Sequence, residues 1–179
     1  MVSEFVMAAK ELWEVSKEVS EITAELGESS GLDKLKEKPV TELQTIRSDL
    51  EGKEHPETGV RYERKEVNLG NGEVVEGVFP EFDSLFDARL DESQYLDSDG
   101  RQFREATNQL SEAIKNNPQL AEKFTPEQLE QISRGRTPDG YVWHHSEQPG
   151  VLQLVDKEVH DATRHTGGRA IWGGGQEYR

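Results

Sequence analysis

The chain has 179 residues, a formal net charge of −15 and no cysteine. Disulfide bonds and thiolate ligands are therefore excluded, so histidine has to carry any metal site. No apolar run approaches the roughly 20 residues that cross a bilayer, and the N-terminus lacks the basic and apolar regions of a secretory signal. We expect one ordinary domain with a helical appendage, no membrane contact and no signal peptide in this chain.

The first fifty residues have the pattern of a separate helical segment. Apolar residues recur at steps of three and four between Phe5 and Leu26, which predicts an amphipathic helix over residues 3–26. A flexible break follows at 27–31, and residues 39–50 are interpreted as a short second helix. The first helix either docks on its own domain or pairs with a preceding part of a longer chain or with a partner. We favour pairing, because the apolar seam is long, and we place the domain boundary near residue 50.

The middle of the chain alternates strand and helix signals. Residues 60–69 and 73–79 predict a hairpin around a Gly-Asn-Gly turn, whereas 80–96 is expected to be irregular. Asp99 is expected to cap a helix whose buried face carries Phe103 and Leu110. Thr125 and Gln128 form the pattern of a capping box that starts a second helix. His55, in the polar loop 52–59, is interpreted as a solvated histidine.

Residues 140–168 combine a strand, a turn, a strand and a helix. Residues 141–145 (YVWHH) and 151–155 (VLQLV) have strand composition, and SEQPG between them has turn composition. Asp156 is placed as a helix N-cap, and residues 157–164 are compatible with a helix that ends at Gly167 and Gly168.

Four of the five histidines, His144, His145, His160 and His165, lie within this stretch. Histidine is the commonest transition-metal ligand and titrates nearest neutral pH. The cluster therefore predicts a metal site with a base beside it. In the alternative interpretation, one of the adjacent pair faces solvent and the other histidines cap a helix.

This layout resembles the ββα-metal (HNH) nuclease fold, in the Trp-His-His branch found at the C-termini of bacterial polymorphic toxins that are contact-dependent or type VII-secreted. The blocks that carry the resemblance are GYVWHH (140–145), GVLQLV (150–155), the region of His160, and HTGGRAIWGGG (165–175). The resemblance implies an α+β protein in which helices and a β-hairpin support a C-terminal ββα-metal (HNH-like) nuclease module at 140–168. The nuclease toxin domain is then 51–179, preceded by the helical segment 1–50.

The resemblance also implies roles for the histidines. His144 is expected to bind the metal, His145 to be the general base, and His160 and His165 to complete the metal shell. The family often has an asparagine between the histidine pair and the helix, and it orients the base. This interval contains no asparagine, and Gln153, the only amide at a comparable place, is the candidate for that catalytic role. His160 and His165 are five residues apart, about 140° around a helix, so they can share a metal only if the helix ends before His165.

Two arginines are candidates for binding the substrate phosphate. Arg164 lies four residues after His160, on the same helical face. Arg169 is expected to hold a non-bridging oxygen through its guanidinium fork, or else to be an ordinary surface arginine. Residues 131–179 contain six basic and six acidic side chains, so the net negative charge lies entirely in 1–130.

The implied activity is hydrolysis of DNA phosphodiester bonds by an antibacterial toxin, with one divalent ion (Zn, Mg, Mn or Ni) as cofactor. The implied partners are DNA and a cognate immunity protein, and the place of action is the cytoplasm of a target bacterium. A ribonuclease of the same fold is one alternative. A non-catalytic module that binds a metal or a partner is another, because the acidic body disfavours attraction to nucleic acid.

Overall fold

The computed structural model describes residues 39–178. By its internal contacts, Lys38–Arg179 is one compact unit. The amphipathic helix predicted over 3–26 lies outside the described residues.

The first sheet contains the predicted hairpin. Strands β2 (Arg61–Asn68) and β3 (Val74–Glu81) are antiparallel, and β1 (Val40–Glu42) pairs with β3 in parallel, giving the order β1-β3-β2. Gly70 and Gly72 in the turn have φ angles of 82° and 96°, a region that favours glycine. The hairpin prediction is confirmed.

The helix predicted over residues 39–50 is wrong. The segment forms β1 and, after a loop, one 3-10 turn at Ser48–Leu50. Its polar groups bond to β3: Leu43 N donates to Glu76 O at 2.7 Å, and the buried Thr45 hydroxyl accepts from Val78 N at 3.2 Å. Pairing with a neighbouring strand therefore outweighs the weak helical spacing of Leu43, Ile46 and Leu50.

The second sheet is antiparallel, with the order β4-β6-β5. It contains β4 (Ser84–Arg89), β5 (Tyr141–His145) and β6 (Val151–Asp156). The two later strands confirm the sequence-based prediction, but β4 falls in the stretch expected to be irregular. A register shift between Ser84 and Asp87 interrupts the alternation of inward and outward side chains in β4. The sequence of this stretch therefore lacks the regular pattern of a strand.

Three helices cover one face of this sheet. They are α1 (Asp99–Asn116), α2 (Pro118–Ala121) and α3 (Pro126–Ser133), and the capping box of Thr125 and Gln128 is present. The core between them and the sheet includes Leu110, Trp143 and Leu154. The Trp143 indole donates to the Thr107 hydroxyl at 3.0 Å, so its single polar atom is satisfied in the core.

The chain ends with the helical part of the ββα unit. Helix α4 (Lys157–Ala162) begins at the predicted N-cap, where the Asp156 carboxylate accepts from Val159 N at 2.9 Å. Helix α5 (Gly168–Ile171) and a 3-10 turn at Gly175–Tyr178 follow. The fold is thus α+β, as predicted. Within residues 39–178, no helix is long and apolar enough to cross a membrane.

Candidate metal centre and the histidine beside it

The three predicted metal ligands converge on one point. His144 comes from β5, His160 from α4 and His165 from the segment after α4, and one nitrogen from each lies within 4.8 Å of the others. His165 Nε2 is 3.2 Å from His144 Nδ1. Two nitrogens bound to one tetrahedral ion, with bonds of about 2.0–2.1 Å, lie about 3.3 Å apart. The observed separation therefore fits two ligands of a single ion.

His165 reaches the cluster because α4 ends early. The helix stops at Ala162, and Thr163 has an extended conformation with φ −92° and ψ 92°. His165 is therefore released from the helical phase that would have placed it away from His160. Its Nδ1 donates to Thr163 O at 2.7 Å, which keeps the proton on Nδ1 and leaves Nε2 as the ligand atom.

A phenylalanine forms the apolar floor of the cluster. The ring of Phe82 is buried and lies 4.8, 5.5 and 5.2 Å from the rings of His144, His160 and His165, measured between centroids. Phe82 lies in the stretch 80–96 that was expected to be irregular, so sequence reasoning gave it no role at this site. The Phe82 ring packs against one side of the three imidazoles and excludes water from that side.

Burial keeps the three imidazoles neutral. It is the largest cause that lowers the pKa of His144 well below the ordinary value, with a further contribution from His165. Burial also lowers the pKa of His160 and, although the Thr163 carbonyl opposes it, the pKa of His165 to about 4. Three neutral imidazoles with converging nitrogens are the donor set of a transition-metal site, so these residues fit a divalent ion.

We expect the metal-free protein to lose stability as the pH falls from about 6.5 to about 4. The unfolded chain takes up protons on these histidines near pH 6.5, whereas folded His165 takes one up only near pH 4. Because the unfolded state binds more protons in this window, the free energy of unfolding decreases, by on the order of 1–3 kcal/mol. Urea unfolding of chelator-treated protein at pH 7.5 and 4.5 measures this. The His165→Gln variant is the control and should lose less; an equal loss would mean that other groups dominate.

His145 points to the opposite face of β5 and is held by Gln102. Its Nε2 lies 2.7 Å from Gln102 Oε1. The orientation of that amide is fixed, because its nitrogen donates to the carbonyls of Gln94 and Tyr95 at 2.8 Å each. Oε1 can only accept, so neutral His145 carries its proton on Nε2 and Nδ1 is its basic nitrogen.

Arg169 is buried and is not a surface arginine, so that interpretation is wrong. Its guanidinium donates to Asp97 O at 3.2 Å through both terminal nitrogens and to Gln102 Oε1 at 3.1 Å. Its Nε is 3.1 Å from Asp99 Oδ1, and the same oxygen is 3.8 Å from His145 Nε2. Arg169 therefore links the residues that surround His145, and binding of phosphate by this arginine stays a prediction.

The histidines of both faces line one cleft of about 380 Å³, together with Arg169. Gln153 is not part of it. Although Gln153 pairs with His144 across the strands, its amide donates to Asp87 at 3.3 Å and it does not line the cleft. Arg164 is exposed and adjacent to His165 in the chain, but it does not line the cleft either.

Sequence reasoning missed Gln102 and the role of Asp99. Gln102 is a fully buried polar residue four positions before Ala106 on the buried face of α1. A polar residue on an otherwise apolar face was the available signal.

The solvated interpretation of His55 is wrong: it is 2% exposed, and its Nδ1 accepts from the amides of Glu57 and Thr58.

The fold and the site define an α+β protein with a three-histidine centre and a fourth histidine beside it. Residues 71–167 match the family model for the DNase/tRNase domain of colicin-like bacteriocins. This range is more than half of the chain and contains all four histidines, and the chain belongs to this family. It is a nuclease domain of the bacteriocin-like toxin type. No curated protein and no solved structure matches it.

Proposed function

We propose that this domain hydrolyses phosphodiester bonds in DNA by an HNH-type mechanism. His144, His160 and His165 hold one divalent ion, and His145 is the general base. The observation that carries the proposal is the convergence of three neutral imidazoles within 4.8 Å, beside a fourth histidine in the same cleft. Family membership supports a nucleic acid substrate.

The chemistry divides between the ion and the residues around His145. A bound divalent ion supplies positive charge that neutralises the phosphate and stabilises the leaving oxygen, which departs as a 3′-hydroxyl. His145 Nδ1 accepts the proton of the attacking water. Gln102 keeps the other ring proton on Nε2, and Asp99, 3.8 Å away, stabilises the imidazolium that forms.

The donor set favours particular metals. All three proposed ligands are imidazoles, which suit Zn²⁺ and Ni²⁺, whereas Mg²⁺ prefers oxygen ligands. We therefore expect Zn²⁺ or Ni²⁺ to bind more tightly than Mg²⁺ or Mn²⁺.

The proposed partners follow from the family and from an exposed arginine next to the ligand His165. Exposed Arg164 is proposed to bind a substrate phosphate, while buried Arg169 keeps the surroundings of His145 in place. A cognate immunity protein is proposed to neutralise the domain in the producing cell, and the place of action is the cytoplasm of a target bacterium. The segment before the nuclease unit is proposed to pair with a preceding toxin region or a partner.

Cleavage of supercoiled plasmid and of structured RNA tests the choice of substrate. We expect the metal-loaded protein to nick and linearise plasmid, and His145→Ala, prepared identically, to be the control for a contaminating nuclease. Degradation of RNA with intact plasmid would assign a ribonuclease of the same fold. Metal binding without cleavage of either substrate would support the alternative that the domain is a non-catalytic module that binds a metal or a partner.

A further inference from the structure

We infer that residues before the family-matched region position the metal ligand His165. The ligand-bearing segment, residues 163–166, connects α4 to α5 and belongs to neither helix nor strand. Ile46, Thr58 and Tyr62 each hydrogen-bond to this segment. The inference rests on the proposed metal site and adds to it a set of positioning residues that lie outside the match over 71–167.

Tyr62 anchors the residue directly before the ligand. Its hydroxyl donates to Arg164 O at 2.7 Å, and its side chain is completely buried in β2. Because the Tyr62 ring is packed in one position, its hydroxyl fixes the distance of the Arg164 carbonyl from the first sheet. The neighbouring residue His165 is displaced if that carbonyl moves.

Thr58 anchors the residue that orients the imidazole. Its hydroxyl lies 2.7 Å from the hydroxyl of Thr163, which is 1% exposed. The carbonyl of the same Thr163 accepts the proton of His165 Nδ1. Thr58 is itself held by buried His55, whose Nδ1 accepts from Thr58 N. A continuous set of contacts therefore leads from the loop 52–59 to the ligand.

Ile46 contacts the residue directly after the ligand His165. Its backbone amide donates to the Thr166 hydroxyl at 2.9 Å, and its side chain lines the cleft. Three contacts thus fall on four consecutive residues, and they come from three separate points of the chain. Because no regular secondary structure fixes this segment, these contacts determine where His165 Nε2 lies relative to His144 Nδ1.

Two of the three anchoring residues, Thr58 and Tyr62, make their contact through a side-chain hydroxyl, so these two contacts can be removed singly. Tyr62→Phe and Thr58→Val delete the hydrogen bonds and keep nearly the same volume. We expect the dissociation constant for Zn²⁺ to rise roughly 3- to 10-fold in each variant. The double variant should lose roughly 10- to 100-fold, the range found when groups that orient a metal ligand are removed.

The measurement is calorimetric titration of metal-free protein with Zn²⁺ in the presence of a competing chelator, with the melting temperature of the metal-free form recorded in parallel. Tyr141→Phe is the matched control. Tyr141 packs on Phe124 in the core between the helices and the second sheet, so this variant should bind Zn²⁺ like the wild type. Thr58→Ser retains the hydroxyl and should restore the affinity lost in Thr58→Val.

A Zn²⁺ affinity within about twofold of wild type in folded Tyr62→Phe and Thr58→Val, with only a lower melting temperature, would overturn the inference. These residues would then be structural. If Tyr62→Phe does not fold, the comparison of Thr58→Val with Thr58→Ser decides. Wild-type protein that binds no Zn²⁺ would instead overturn the proposed metal site, and the positioning role with it.

Discussion

Replacing His145 with alanine is expected to slow cleavage on the order of 100- to 10,000-fold, because a positioned general base is lost. Metal affinity should stay near that of the wild type, since His144 and His145 point to opposite faces of β5 and only His144 belongs to the cluster. Raising the pH should recover part of the rate, because hydroxide replaces the missing base. Cleavage rates from pH 6 to 9 and a calorimetric metal titration measure both effects.

The same variant is also expected to be less stable than the wild type. A base that is not a metal ligand could be removed with little change in melting temperature if it were solvated, but His145 is 8% exposed and bonds to Gln102. Its removal leaves a buried amide oxygen with one partner fewer and a small cavity, at a cost of about 1–3 kcal/mol. Cleavage rates of His145→Ala and the wild type should therefore be compared well below the melting temperature of the variant. Loss of the metal in His145→Ala would show that the roles of the two histidines are exchanged.

Replacing His144 with alanine is expected to weaken metal binding at least about 100-fold and to abolish cleavage at low metal concentration. One of three converging nitrogens is removed, and a two-histidine site binds much less tightly. Because a metal bound only by the folded state stabilises it by mass action, the rise in melting temperature on adding Zn²⁺ should also disappear. Thermal melts with and without Zn²⁺ check this directly.

Leu120→Ala is the control for loss of stability in that experiment. Leu120 is buried in the core under the helices, and it is neither one of the three converging residues nor one of the residues that contact the segment 163–166. Its truncation should lower the melting temperature with and without metal and keep most of the increase that Zn²⁺ produces. Equal loss of the Zn²⁺ effect in both variants would mean that folding, and not ligation, is being measured.

The ββα unit could be predicted from the sequence because its signals are local. Residues 141–145 and 151–155 have strand composition, and Asp156 caps the following helix as expected. The sequence also indicates that His165 can join His160 only if the helix ends first, and α4 does end at Ala162. The two strands, the N-cap and the end of this helix each depend on neighbours within a few residues.

The remaining features depend on distant parts of the chain. Residues 39–50 have weak helical spacing, yet they become a strand and a turn because β3 offers hydrogen bonds to Leu43 and Thr45. The surroundings of His145 are assembled from Gln102 on α1 and Arg169 on α5, 67 positions apart. Nothing local distinguishes Gln102 from a solvated glutamine except its place on an apolar helical face.

The most direct test of the account is to titrate metal back into metal-free protein while plasmid cleavage is followed. A metal-dependent mechanism predicts no cleavage in excess chelator, and recovery that saturates at one divalent ion per chain. His144→Ala should not recover over the same range. Full cleavage in excess chelator would contradict the account, because the three converging histidines would then have no part in the reaction.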